Sequence, residues 1–281
     1  MIKYLAPAKI NLVLEVLGER SDGYHEIRSL VQTVSLCDSL EFELADAISL
    51  KCNEPSLQSS DNLVIRAAEL LRNLRGCQKG ARIKLEKRIP WGVGLGGGSS
   101  DASATLMALN KLWTLNMTNA DLVGIAARLG SDVPLFLHRG TTMVEGRGEK
   151  VTPLDAISTL WFVLVVPPMA KISDKTRQLY ARLSTQHFTD GHLVDEAVKY
   201  LDKTKRIDPG LLFNVFDKVA FDAFPGLDAY WKSFEEAGAK GVHLTGSGPG
   251  MFALVGSEID AKKLRSQLRK CNLQAYSISN S

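Results

Sequence analysis

The chain is poor in cysteine: Cys37, Cys52, Cys77 and Cys271 are scattered through 281 residues, with no CxxC pair and no histidine at zinc-finger spacing. That excludes a disulfide-stapled scaffold and a zinc module, and makes reduced thiols in a cytosol-like compartment the expectation. A long apolar run is also missing. The longest, Leu160–Pro168, is far too short to cross a bilayer. Lys3, Lys9 and Glu15 interrupt Met1–Leu17, so no targeting segment is expected there. Neither sign of charge prevails: Lys+Arg 34 against Asp+Glu 31 leaves +3, too little to argue for nucleic acid or a membrane surface as partner. Gly 23 and Pro 10 stay below low-complexity levels, and no internal repeat is visible. What is present is ordinary: 45% hydrophobic and 23% charged residues. The length can bury a sizeable core, in one large domain or two modest ones.

The first third reads as strands. Asn11–Leu17, Ile27–Ser35, Leu40–Leu44 and Ala81–Lys87 are rich in β-formers, and several alternate apolar with polar residues. Alternation predicts one wet face, hence an antiparallel or mixed sheet. Val64, Ala67, Leu70, Leu71 and Leu74 fall at helical spacing behind Asp61, a good N-cap residue. Further helices are expected over Asp101–Asn116 and Ala120–Leu129. The texture changes around Thr152–Ser158, where the domain boundary is placed, giving units 1–155 and 156–281. The second unit reads as strand Trp161–Val166, a helical region, strands Gly241–Thr245 and Met251–Val255, helix Ile259–Cys271 and strand Gln274–Ile278. That order is β-α-β-β-α-β, the ferredoxin-like arrangement, and the fold class is α+β.

The loudest segment is Pro90, Trp91, Gly92, Val93, Gly94, Leu95, Gly96, Gly97, Gly98, Ser99 and Ser100, followed at once by helix-forming sequence. Glycines let a ligand approach the backbone, and a helix starting behind them offers free N–H groups and the positive end of its dipole. Together these make an anion site, with phosphate its usual occupant. The same composition fits a flexible linker, but a linker has no reason to sit between a strand and a close-packed helix. Gly92-x-Gly94-x-x-Gly97 formally matches the dinucleotide fingerprint, yet the strand before it alternates where a Rossmann first strand would be apolar throughout. No Gly-Lys-Ser/Thr marks a Walker loop, and no His-Arg-Asp or Asp-Phe-Gly marks a protein kinase. A loop without a lysine must neutralise polyphosphate with amides, hydroxyls, a metal ion and a cation from elsewhere.

Three further segments bear on that need. Ala6–Leu12 sets Lys9 and Asn11 at the mouth of a strand, Gly130–Pro134 carries Asp132 at a helix end, and Thr245–Gly250 is a second glycine-rich turn. Alone, each could be a surface lysine, a turn aspartate and a plain hairpin loop.

Taken together, in order and spacing from about Lys3 to about Leu254, the chain resembles the GHMP small-molecule kinases. Pro7–Leu12, Asp22–Ile27, Gly94–Ser100 and Gly130–Pro134 carry the resemblance, with Thr245–Gly250 as the third signature turn. It implies a two-domain α+β fold: a ribosomal-protein-S5-domain-2-like ATP domain followed by a ferredoxin-like domain, with substrate in the cleft between. It implies ATP and Mg2+ as cofactors, transfer of the γ-phosphoryl group to the 2-hydroxyl of a cytidine-diphosphate sugar alcohol, and no membrane or nucleic-acid partner. By the same resemblance Pro90–Ser100 wraps the phosphates and Lys9 and Asp132 are the catalytic pair. Tyr24 and Tyr180 sandwich the base, His25 reads its edge, Asn11 helps place the substrate, and Ser100 is the candidate metal ligand. The segment Ile172–Thr176 is more polar than the family pattern. A cytoplasmic monomer or homodimer is expected. The alternatives are a homoserine or mevalonate kinase type, which would lack the Tyr24-His25 element, and a silent nucleotide-binding regulator, which would have no chemical need for both Lys9 and Asp132.

Overall fold

The N-terminal residues form one continuous strand, β1 (Ile2–Glu19), paired antiparallel with the slightly longer β2 (His25–Ala45). The computed structural model describes residues 1–169 and 174–280; Ile172 and Ser173 of the polar segment lie outside them. Behind β2 follow β3 (Ser49–Cys52), α1 (Leu63–Leu74), β4 (Gly80–Glu86), α2 (Gly97–Leu112), α3 (Asn119–Leu129), β5 (Thr141–Gly146) and β6 (Lys150–Pro153). The second half contains β7 (Trp161–Val166), α4 (Lys175–Tyr180), α5 (His192–Thr204), β8 (Phe213–Asn214), α6 (Ala220–Ala223), α7 (Leu227–Glu236), β9 (His243–Leu244), β10 (Met251–Val255), α8 (Glu258–Lys270) and β11 (Gln274–Ser279).

A seven-stranded mixed sheet runs β3-β4-β2-β1-β8, with β5 and β6 branching from the N-terminal part of β2. Its last strand comes from the second half: β8 pairs parallel with Val13 and Leu14 of β1. The other sheet has four strands in the order β11-β7-β10-β9, all antiparallel. In chain order that is 4-1-3-2, the ferredoxin-like order, so the fold is α+β as the sequence suggests.

The expectation of one wet face fails for β1. Every residue from Ala6 to Val16 is buried, because helices cover one face of the sheet and the second half of the chain covers the other. Ala6, Leu40 and Phe42 join α1, α2 and α3 in one core, while Ala8, Ile10 and Leu12 pack with Phe162, Leu164 and Phe252 in another. A register shift between Asn11 and Val13 lets Val13 join that second core. Two helix starts also differ from the sequence reading. Asn62, not Asp61, caps α1, its side chain accepting from Val64 N–H. Helix α2 opens at Gly97 instead of Asp101, so Gly97–Ser100 form its first turn rather than a loop.

That first turn is anchored from below by charge. Lys87 Nζ lies 2.8 Å from an Asp101 carboxylate oxygen and also pairs with Asp38, which accepts in turn from the Arg88 and Ile89 N–H groups. All three side chains are buried. Burial pulls Lys87 down, but Asp101 and Asp38 together outweigh it and the net shift is upward. Burial pushes the Asp101 carboxyl up to about 8 against the pull of Lys87, as expected where two carboxylates share one ammonium. Lys87→Met leaves those carboxylates unpaired and is expected to cost about 3–5 kcal/mol; a urea unfolding curve measures it, and an unchanged midpoint would show that the triad does not hold the fold.

Candidate active site

Three separate segments converge where β1, the start of α2 and the turn before β10 meet. The Lys9 N–H donates to Leu95 O at 3.0 Å, and Gly250 N–H donates to Val93 O at 3.2 Å. Thr245 Oγ1 lies 3.2 Å from Gly94 O and 3.4 Å from Lys9 O. Gly94 has φ +90° and its missing side chain is the reason the contact exists: a Cβ there would stand 1.9 Å from Thr245 O.

These turns border a cavity of about 380 Å³. From the glycine segment, Pro90, Trp91, Gly92, Gly94, Leu95, Gly96, Gly97, Gly98 and Ser99 line it; Val93 and Ser100 do not. The Gly97, Gly98 and Ser99 amides have no partner within the helix by geometry, and the positive end of the helix dipole points the same way. The Ser100 side chain is buried, and its Oγ has no hydrogen-bond partner among the described residues. A Cβ at Gly97 would press on Ile89 and Lys87 Nζ, at 3.0 and 3.2 Å, and so would disturb the charged anchor rather than fill the cavity.

Lys9, Asn11, Asp132 and Tyr180 all line the same cavity. Lys9 Nζ donates to Asn11 Oδ1 at 2.6 Å, Asn11 Nδ2 to Ser29 Oγ at 2.8 Å, and Ser29 Oγ to Val13 O at 2.6 Å, a relay that fixes the ammonium. Burial lowers the Lys9 pKa, and the negative charge of Asp132 opposes that fall. Asp132 sits between α3 and the Pro134–Leu137 turn, exposed on the cavity side, with Gly148 of the β5–β6 turn beside it. Burial raises the Tyr180 hydroxyl, and Asp132 adds to the rise.

His25 and Tyr24 are placed differently from each other. The His25 ring stacks on Tyr180 (centroids 4.6 Å, 27° between planes) and meets Phe188 edge-on at 6.0 Å, while its Nε2 is buried without a partner among the described residues. Phe216 packs edge-on against the Tyr180 ring, at 5.0 Å. Tyr24 stays 53% exposed with the Arg147 guanidinium 5.0 Å over its ring, so it is His25 that lies against Tyr180 in this structure.

Sequence reasoning missed Lys175, Thr176 and Phe216, which also line the cavity. Lys175 lies in the polar segment already noted, but no spacing rule connects that segment to the glycine turns. A group with metal-ligand geometry among the described residues, Glu15, Asp190 and His192, lies apart from the cavity lining. There Glu15 is already engaged, capping α5 by accepting from the Leu193 and Val194 N–H groups.

Comparison with known proteins finds likeness along the whole chain. The family descriptions "GHMP kinases N terminal domain" and "GHMP kinases C terminal" match residues 62–140 and 198–273. The 4-diphosphocytidyl-2-C-methyl-D-erythritol kinase of Dehalococcoides mccartyi is 44% identical over 279 residues, covering 99% of this chain and 98% of its own. That of Pelotomaculum thermopropionicum is 39% identical, covering 98% and 96%. A crystal structure of 4-(cytidine 5'-diphospho)-2C-methyl-D-erythritol kinase superposes with a TM-score of 0.84 at 33% identity, covering 100% of both chains. Homoserine kinase from Cytophaga hutchinsonii shares the fold, with a TM-score of 0.75 at 21% identity, covering 100% of this chain and 94% of its own.

The contrast between two glycines tests this geometry. Gly94→Ala is expected to weaken binding of a nucleoside triphosphate by at least tenfold in titration calorimetry. Gly92→Ala, whose φ is also positive but whose Cβ would meet nothing within 4 Å, should cost only about 1 kcal/mol of backbone strain. Equal binding by the two variants would show that the Gly94–Thr245 contact is not what holds the loop.

Proposed function

The chain belongs to the GHMP kinases, and on that premise we propose that it transfers the γ-phosphoryl group of ATP to the 2-hydroxyl of 4-diphosphocytidyl-2-C-methyl-D-erythritol. The products are the 2-phosphate and ADP, in a step of non-mevalonate isoprenoid biosynthesis. One observation carries the reading: Lys9, Asp132 and the first turn of α2 face a single cavity. The likeness to homoserine kinase extends to the fold alone.

In this reading the α2 first turn and Gly92–Gly96 hold the triphosphate, and Asp132 meets the hydroxyl. As the new P–O bond forms and the bond to ADP breaks, the hydroxyl proton passes to the Asp132 carboxylate. Lys9, held by Asn11, keeps positive charge beside the attacking oxygen and the moving phosphoryl group, where positioning and charge stabilisation supply most of the catalysis. Ser100 is the residue that would hold Mg2+; its Oγ is buried without a partner among the described residues and does not line the cavity, so its side chain would have to turn toward the phosphates to do so. When bound, the ion would offset the negative charge of the phosphates. For the cytidine group, the unpartnered His25 Nε2 suits the base edge, and the rings of Tyr24 and Tyr180 supply aromatic faces; His25 would have to turn off Tyr180 to admit a base between them.

The proposal includes two units divided near 155/156, with the two family matches on either side of that line. A cytoplasmic monomer or homodimer completes it, supported as to compartment by four cysteines that are all free.

Two measurements test the assignment. Asp132→Asn is expected to lower kcat by roughly 10²–10⁴, the range for a lost general base, with ATP affinity kept; ³¹P NMR of the phosphomonoester formed from ATP and the cytidine substrate reads it, and full turnover would remove Asp132 from the chemistry. His25→Ala or Tyr24→Ala should raise the KM for the cytidine substrate more than that for ATP, and the reverse order would misplace the base.

A further inference from the structure

The mechanism above leaves Lys175 unused. It opens α4, and its Nζ donates to the carbonyl oxygens of Gly92, at 3.1 Å, and of Gly248. The next residue, Thr176, shares a 2.9 Å hydrogen bond with Ser247. Two adjacent side chains therefore bind α4 to both glycine turns at once, the one before α2 and the one before β10.

Neutral carbonyls do not balance an ammonium charge. No carboxylate pairs with Lys175 among the described residues, and the charge that shifts it is another cation's: burial first, and then the charge of Lys9, bring its pKa down to about 8. Lys9 itself donates to a neutral amide. Two partly desolvated ammonium groups thus border one cavity, with Asp132 the acidic side chain among the residues that line it. An anion between them would relieve both the desolvation and the mutual repulsion. An ammonium has three donors, so Lys175 keeps one for such a ligand after serving both carbonyls. The glycine segment Pro90–Ser100 contains no lysine or arginine to do this work.

We propose that Lys175 is a second phosphate-binding cation of this kinase, contacting the terminal phosphate of ATP while its carbonyl bonds hold the two glycine turns together. The inference rests on the ATP reading above. Polyphosphate could also come from the diphosphate of the cytidine substrate. The partners of Lys175 favour ATP, since Gly92 belongs to the segment leading into the α2 first turn and Gly248 to the turn packed against it.

The test uses the purified full chain in titration calorimetry without the cytidine substrate. Lys175→Gln keeps a donor for a carbonyl but removes the charge, and Lys175→Arg keeps the charge. Loss of a charge-assisted contact predicts affinity for a non-hydrolysable ATP analogue roughly ten- to a hundredfold weaker in the Gln variant, with ADP affinity within about twofold and the Arg variant close to wild type. Steady-state kinetics should show the KM for ATP rising while that for the cytidine substrate holds. If Gln binds the analogue as well as Arg, Lys175 is only a tether and the proposal is overturned. A rise confined to the cytidine KM overturns it in favour of the substrate diphosphate. Should Lys175→Gln not fold, judged by circular dichroism, the Arg variant decides: loss of analogue affinity there, with the fold intact, overturns the proposal. Wild type failing to bind the analogue at all would overturn the ATP reading itself, a result separable from the others.

Discussion

The site depends on how closely two backbones approach at Gly94 and Thr245. No other residue at Gly94 would leave room for the Thr245 carbonyl, and the hydrogen bonds that follow from that approach link Lys9, Val93, Leu95 and Gly250 into one frame. The side chains with chemistry to offer are then oriented from behind. Ser29 and Asn11 aim Lys9, and the Pro134–Leu137 turn presents Asp132 to the same cavity. Backbone geometry therefore comes first, and the functional groups are placed relative to it.

Buried charge is the second organising factor, and it is used in two opposite ways. Beneath the α2 first turn, Lys87 is shared by two buried carboxylates, and one Asp101 oxygen keeps no partner among the described residues. In the cavity, Lys9 and Lys175 are under-matched. A matched triad makes a foundation, whereas an under-matched pair makes a site for something negative. Lys87 and Asp101 flank the glycine segment Pro90–Ser100 in sequence, so the matched cluster and the cavity-facing pair are brought together by one short stretch of chain.

Much of this was legible from residues alone, and the failures have physical causes. The strand order of the second sheet follows from the succession of apolar runs and turns, and Trp161–Val166 and Met251–Val255 fall where the β-formers do. The glycine run, read as an anion site, lines the cavity that Lys9 and Asp132 also face. Alternation in β1 misled, since a strand covered on both faces can still carry Lys9, Asn11 and Glu15 when each has a buried partner. The start of α2 was misread because Gly97 and Gly98 have poor helix propensity, which the Gly96 cap and the charged anchor override. Lys175 was invisible for another reason: its carbonyl partners lie 83 and 73 residues away, and local patterns hold no information on contacts of that range.

The parallel pairing of β8 with β1 joins residues about 200 positions apart in the chain. Until Phe213 and Asn214 have emerged from the ribosome, Val13 and Leu14 lack their partners on that edge of β1, and until Phe252 follows, the face made by Ile10 and Leu12 lacks part of its cover. The N-terminal half of a nascent chain is therefore an incomplete object, sticky rather than native. Folding that must await so distant a strand is slow, and cooperative across both halves.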